Sequence, residues 1–291
     1  MLATSTRQAS GPWLRDWVAR RTRSPAASAV TIVTAGLVQS GLLGIRRALP
    51  LISWTNVGTC GVVLAASLDS QSLALLLVGV AGVMAYFRID LRGRIAPLVG
   101  ALLGLGLTLF GIAMLKTGLA PLQDVPMVRA LLGGQGMAVT FAVALALAAL
   151  AQTSAPATLV LLALTAAGVI RFEDAVVGIY GGNIGSGLGM LLAARGLAGS
   201  ALRLAQYQVV WRLFGSAVFL ALLAAEMAGL PNLLALTAWL AAGDLALRVG
   251  LLVVIYQAAT AVLIWPLDPQ VERLLAAWAP ETPAETLARP R

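Results

Sequence analysis

Two short polar stretches interrupt long apolar runs in this sequence, and both have a composition suited to binding ions. The first is Gln152-Thr153-Ser154-Ala155-Pro156-Ala157-Thr158, inside the run 130–170, which holds no Asp, Glu, Lys or Arg. Pro156 has no N–H, so a continuous helix through it would leave the Gln152 carbonyl without a donor. Such an orphan is costly away from water, yet it is a ligand for a small hard cation. With the hydroxyls of Thr153, Ser154 and Thr158 and the Gln152 amide, it makes an uncharged, oxygen-rich cluster suited to Na⁺ or to hydrogen-bonding an oxyanion. The second stretch is Gly181-Gly182-Asn183-Ile184-Gly185-Ser186-Gly187, with four glycines in seven residues. That density predicts an unwound turn rather than a rigid helix. Its backbone N–H groups would face an anion, and Asn183 and Ser186 add side-chain donors and acceptors.

Both stretches have a counterpart earlier in the chain. Residues 41–58, GLLGIRRALPLISWTNVG, align without a gap on 168–185, GVIRFEDAVVGIYGGNIG, so that Ile52 falls on Ile179, Asn56 on Asn183 and Gly58 on Gly185. Thr55-Asn56-Val57-Gly58-Thr59 is then the first copy of the glycine-rich motif. Upstream, Gln39-Ser40 resembles Gln152-Thr153, but Gln39 precedes Asn56 by 17 positions and Gln152 precedes Asn183 by 31. The first copy therefore lacks 14 residues, about 21 Å of helix at 1.5 Å per residue. Polar residues in apolar helices are ordinarily packing residues or interhelical glue. Packing alone does not demand the same pair of motifs twice in the same order.

The elements that carry these motifs are read from composition. The 291 residues include 20 basic and 12 acidic ones, 11% in all, against about a quarter in soluble domains. Hydrophobic residues make up 59%, and the mean hydropathy is +0.90. This excludes a soluble globule of this size, and it excludes disorder. The predicted fold class is an all-α polytopic membrane protein with two repeats containing broken helices or helical hairpins. Charge-free runs at 24–45, 48–68, 70–87, 95–115, 130–170, 175–194 and 249–267 have the length of a bilayer crossing, about 20 residues, and 130–170 has room for two. Backbone groups in lipid must bond internally, which predicts helices. The apolar residues come in blocks rather than at alternate positions, so a membrane barrel is excluded.

Charge supplies the orientation. Arginines flank the apolar runs, as at Arg20–Arg23, Arg46–Arg47 and 88–94, and flanking positive charge marks the cytoplasmic side. The net charge of +8 is accordingly read as membrane anchoring and not as a nucleic-acid footprint. One cysteine and no histidine exclude an intrachain disulfide framework and argue against a zinc site. Lys116 and Arg212 read as interface anchors that snorkel. Asp244 and Arg248, four residues apart, read as a neutralised ion pair within the membrane. Glu226 is either a coupling carboxylate or a helix end in water. The expected organisation is a basic cytoplasmic tail over 1–23, a transmembrane region over 24–266 (repeat 1 about 27–88, repeat 2 about 95–225), and a short C-terminal tail over 267–291 with an amphipathic helix at 271–278.

The paired motifs resemble those of the sodium/phosphate cotransporter family in its bacterial form. That family carries two copies of a Q-S-S-S-A-T-T-like element, each followed by a G-A-N-I-G-T-T-like element. Here Gln152 to Thr158 and Gly181 to Gly187 match the second pair. Gln39-Ser40 and Trp54-Thr55-Asn56-Val57-Gly58-Thr59-Cys60 match the first. The segment 107–122, LTLFGIAMLKTGLAPL, is similar to the glycine-containing helix that opens the family's second half. Ala155, Ala157 and Trp54 depart from the pattern. The resemblance implies sodium-dependent symport of inorganic phosphate across a bacterial inner membrane, with no enzyme activity and no cofactor beyond Na⁺ as coupling ion. The implied site comprises Gln152, Thr153, Ser154, Thr158, Asn183, Gly185, Ser186, Gln39, Ser40, Asn56, Gly58 and Thr59, with Na⁺ at Gln152, Thr153 and Ser154. Two alternatives stand beside this reading: a non-transporting membrane scaffold or regulatory subunit, and a transporter or exporter of another small anion. The expected partners are phosphate, Na⁺ and the lipid bilayer, without nucleic acid. The oligomeric state is not set by sequence.

Overall fold

The computed structural model describes residues 26–39, 42–67, 71–88, 95–119, 121, 124–126, 136–194, 198–230 and 232–280. The basic tail, Ser40 and most of the loops 87–94 and 121–129 lie outside these, as do the side chains of Gln39 and Lys116. The described residues are mainly helical, with no strand among them. In chain order the helices are α1 (Ala26–Gln39), α2 (Ile45–Ser67), α3 (Gln71–Tyr86), α4 (Ala96–Leu119), α5 (Gly136–Ala151), α6 (Ala155–Ala166), α7 (Phe172–Ala193), α8 (Gly199–Met227), α9 (Leu233–Ala241), α10 (Leu245–Ile264) and α11 (Asp268–Trp278). A single 3₁₀ turn, Trp265–Leu267, joins α10 to α11. Four segments are long and apolar enough to cross a membrane: α2, α7, α8 and Leu245–Trp278. The chain is an all-α, multi-pass membrane protein.

The run 130–170 divides in two, as its length predicts. Helix α5 ends at Ala151, and Gln152 turns the chain with φ of 59°, a left-handed conformation that a non-glycine residue adopts only at some cost. Pro156 then lies in the first turn of α6, where a helix has no use for its missing N–H. The expected orphan carbonyl of a continuous helix does not arise, because the chain bends before the proline. Helix α6 ends in a left-handed Gly168 at φ 71°, with Val169 N donating to Leu164 O at 2.9 Å, a glycine-capped helix end.

Helices α5 and α7 form the most extensive pair, and glycine is the reason. A Cβ placed on Gly181 would meet the Phe141 carbonyl at 2.6 Å; one on Gly185 would meet Leu145 O, and one on Gly189 would meet Ala149 O. The partner numbers rise together, so the two helices run parallel. Helix α6 runs the other way, since Gly178 faces Leu161 while Gly182 faces Ala157. This packing overturns the expectation of an unwound turn at 181–187. Helix α7 continues unbroken through all four glycines. A glycine costs a helix about 1 kcal/mol relative to alanine, and here backbone-to-backbone contact along a whole face offsets it.

Two apolar clusters fill the interior. One centres on α6, α7 and α10 and includes Cys60, Leu162, Tyr180, Phe219 and Tyr256. The other joins α1, α2, α8, α10 and α11 through Ala35, Ile52, Tyr207, Trp211, Ile264 and Leu275. On α2 the boundary between them falls between Ile52 and Cys60, and on α8 between Trp211 and Phe219. A buried polar layer occupies that boundary.

Candidate functional site

The layer is built around Arg212. It sits in the middle of the 29-residue helix α8 and is only 4% exposed. Either end of such a helix is roughly 20 Å away at 1.5 Å per residue, beyond the reach of a snorkelling side chain. The interface-anchor reading of Arg212 is thereby corrected. Its Nη2 donates to Asn56 Oδ1 at 3.2 Å. Its Nη1 donates to Ser186 Oγ at 2.6 Å and faces Asn183 Oδ1 at 3.5 Å. The two asparagines paired in the sequence therefore converge on one guanidinium.

The match extends into the helices. Each asparagine is the twelfth residue of its helix. Asn56 Nδ2 donates to Ile52 O at 3.0 Å, and Asn183 Nδ2 donates to Ile179 O at 2.9 Å. Thr59 Oγ1 donates to Asn56 O at 2.7 Å, and Ser186 Oγ donates to Asn183 O at 2.8 Å. In each helix the local bond holds the amide by its NH₂, so that its oxygen is left to face α8. A glutamine braces each asparagine from another helix. Asn56 Nδ2 also donates to Gln208 Oε1 at 3.2 Å, and Gln208 Nε2 donates to Thr31 Oγ1 at 3.2 Å. Gln257 Nε2 donates to Asn183 Oδ1 at 2.9 Å. All of these residues except Thr59 are buried.

Electrostatically the layer is unusual. Arg212 forms no ion pair among the described residues, so one positive charge is enclosed by neutral amide and hydroxyl oxygens. A buried charge without a counter-ion is expensive, and in a membrane segment it marks a functional group. Two further groups in the layer lack a partner among the described residues: Arg212 Nε, a donor, and Gln257 Oε1, an acceptor. Gly187 makes space for the arginine, because a Cβ there would lie 3.0 Å from Arg212 Cδ.

Of the residues expected at the site, Asn56, Asn183 and Ser186 meet at Arg212, and Thr59 supports Asn56. Gly185 serves the α5–α7 contact, and Gly58 faces open space. Gln152, Thr153 and Ser154 form the half-buried tip between α5 and α6, and their side chains make no hydrogen bond among the described residues. Thr158 is buried in α6. The two motifs do touch, through Ala157 against Gly182. Gln39 closes α1, its side chain outside the description with Ser40. The 12-residue helix α6 lies between Gln152 and α7, whereas among the described residues no helix separates Gln39 from α2.

One other expectation is corrected, and of the two readings of Glu226 the helix end is the one the structure fits. Asp244 and Arg248 form no ion pair: the Asp244 carboxylate caps α10 by accepting from Ala246 N at 2.8 Å and Leu247 N at 3.0 Å. Arg248 lies 3.9 Å over the Phe172 ring and donates to Leu234 O at 3.1 Å. Glu226 caps the start of α9, accepting from Leu234 N and Ala235 N, each at 2.7 Å, and from Asn232 N at 3.2 Å.

Sequence reasoning missed Arg212, Gln208, Gln257 and Thr31. One signal for Arg212 was present: it is the lone charged residue between Arg203 and Glu226. An anchor belongs at the edge of such a run, not near its middle.

Known proteins carry related sequence. Residues 22–117 match the Na+/Pi-cotransporter family model, a segment that spans α1 to α4 and includes Asn56. Over 197 residues the chain is 28% identical to the "Putative inorganic phosphate export protein YjbB" of Salmonella typhimurium, and 27% identical to the proteins of the same name in Escherichia coli K12 and Shigella flexneri. The matched stretch is 67% of this chain and 36% of each relative, so the chain spans little more than a third of their length. No solved structure matches it. The segment that carries Asn56 is thus similar in sequence to the Na+/Pi-cotransporter family.

Proposed function

We propose that this protein is a secondary transporter that moves inorganic phosphate across a bacterial inner membrane in symport with Na⁺. One observation carries the reading: the buried, unpaired charge of Arg212 is held by matched asparagines from two related helices. A site near the middle of the membrane, at the junction of two sequence copies, is where such transporters bind their solute. The unpartnered groups fit phosphate in particular. Arg212 Nε–H is a donor for a P–O⁻ oxygen, and Gln257 Oε1 is an acceptor for a P–OH hydrogen. A protonated phosphate offers both, whereas sulfate at neutral pH offers only acceptors.

The sodium half rests on the oxygen-rich tip at Gln152, Thr153 and Ser154, whose side chains have no protein partners among the described residues. Na⁺ there would precede phosphate, and the two copies would then rock to open the opposite side. Outward movement is a second reading, favoured by the name of the relatives. The test is labelled-phosphate flux by purified protein in liposomes, in both directions, with and without a Na⁺ gradient. Uptake that rises with an inward Na⁺ gradient supports symport. Flux out of preloaded vesicles without Na⁺ dependence supports export. No phosphate flux in either direction overturns the transport reading and leaves the scaffold alternative.

A further inference from the structure

A second buried polar chain lies close to Arg212, and neither the phosphate site nor the sodium tip uses it. Asp268, the first residue of α11, is 7% exposed. Its Oδ1 accepts from Tyr207 Oη at 2.7 Å, while its Oδ2 has no hydrogen-bond partner among the described residues. Tyr207 Oη lies 2.7 Å from Ser53 Oγ, and Ser53 Oγ lies 3.4 Å from Leu49 O. The chain is anchored on the same two helices as the polar layer. Ser53 precedes Asn56 by three residues on α2, and Tyr207 precedes Arg212 by five on α8, about 7.5 Å along the axis.

This chain can run in two directions, and protonation adds a bond rather than removing one. With Asp268 ionised, the Ser53 hydroxyl donates to Tyr207, and Tyr207 donates to the carboxylate. With a proton on Oδ1, Asp268 donates to Tyr207, Tyr207 to Ser53, and Ser53 to the Leu49 carbonyl. Each oxygen keeps one hydrogen, and the added proton comes from water. The ionised form carries a buried charge that bonds at one oxygen only, a costly state. The protonated form carries none. Other charged groups around α11 are engaged or exposed: Glu272 pairs with Arg46 of α2 at 2.9 Å, Arg203 of α8 donates to Ala279 O at 2.6 Å, and Arg47 and Arg273 are exposed.

We infer that Asp268, with Tyr207 and Ser53, is a proton-binding site coupled to the Arg212 centre. A proton on Asp268 removes a negative charge bonded to α8 at Tyr207, five residues before Arg212, and so favours an anion at the guanidinium. An ionised Asp268 opposes it. Proton and anion thus bind with positive linkage. The linkage rests on the phosphate reading; the protonation of Asp268 does not.

Two measurements separate them. Infrared difference spectroscopy of the full-length protein in lipid, recorded across pH without phosphate, should show a protonated-carboxyl C=O band that Asp268→Asn abolishes. Tyr207→Phe, which removes only the hydrogen-bonding partner, should shift that band. A band absent from the wild type, or unchanged in both variants, overturns the proton site. The second measurement is the phosphate affinity of Asp268→Asn divided by that of wild type at each pH, which cancels the titration of phosphate itself. The ratio should be near one at low pH and rise severalfold as pH increases. A flat ratio beside an intact infrared result overturns the linkage alone, and no phosphate binding by either protein overturns the phosphate reading instead.

Discussion

Arg212 decides whether the polar layer is a site or merely a strut. Both amide oxygens aimed at it, and the Ser186 hydroxyl at 2.6 Å, accept from a planar fork of donors that a lysine ammonium does not reproduce. Arg212→Lys retains the charge but loses the geometry, and should weaken phosphate binding at least ~10-fold, the equivalent of one charge-assisted hydrogen bond of about 1.5–3 kcal/mol. Titration calorimetry on the purified protein checks it, with sulfate as the competitor expected to fail. Asn56→Ala and Asn183→Ala each leave a buried guanidinium donor unmet, which costs about 1–3 kcal/mol of stability. Because both act on one group, their effects should not add, and thermal melts of the double variant measure the difference. The asparagines were legible from the repeat, whereas their partner was not. Repetition exposes residues that occur twice. Arg212 stands once and meets both asparagines, so no internal comparison could flag it.

At the level of the helix, the glycines of α7 are unequal, and the structure ranks them. Gly185→Ala sets a methyl against the Leu145 carbonyl and should destabilise by about 1–3 kcal/mol through overpacking. Gly182→Ala meets the Ala157 Cβ at 3.5 Å, an ordinary contact, and should be tolerated. Gly187→Ala presses on Arg212 Cδ and should lower anion affinity while leaving the melting temperature nearly unchanged. Melting curves and calorimetry on the three variants distinguish these outcomes. Spans and the α5–α6 break were readable from charge-free runs and Pro156. The continuity of α7 was not, because glycine density carries two meanings. It marks an unwound turn where the backbone meets a solute, and a smooth helix face where the backbone meets another backbone. Only the neighbour, α5, chooses between them. The same limit applies to Asp244, Arg248 and Glu226. Their spacing is visible in sequence, but the orphan N–H groups that claim the two carboxylates belong to helix ends that only the fold defines.

For the molecule as a whole, Na⁺ dependence is the property most open to test. Gln152→Gly suits the left-handed φ of 59° at the α5–α6 tip, so it removes the amide without straining the turn. If the tip holds Na⁺, Gln152→Gly and Ser154→Ala should each abolish Na⁺-stimulated phosphate uptake in liposomes, with phosphate binding at Arg212 retained. Full uptake by both removes the tip from the mechanism. The contact between α5 and α7 bears on how any such cycle would move. Where carbonyl oxygens of one rod nest against bare Cα atoms of its neighbour, there is no side-chain slack to absorb sliding, and the pair must travel as a single stiff plank. The give has to come from where α2 and α7 meet α8, since amides and a guanidinium can exchange one partner for another at little cost. The hinge of the machine and its cargo clamp would then be the same few atoms, and whatever is gripped there also sets which way the plank can swing.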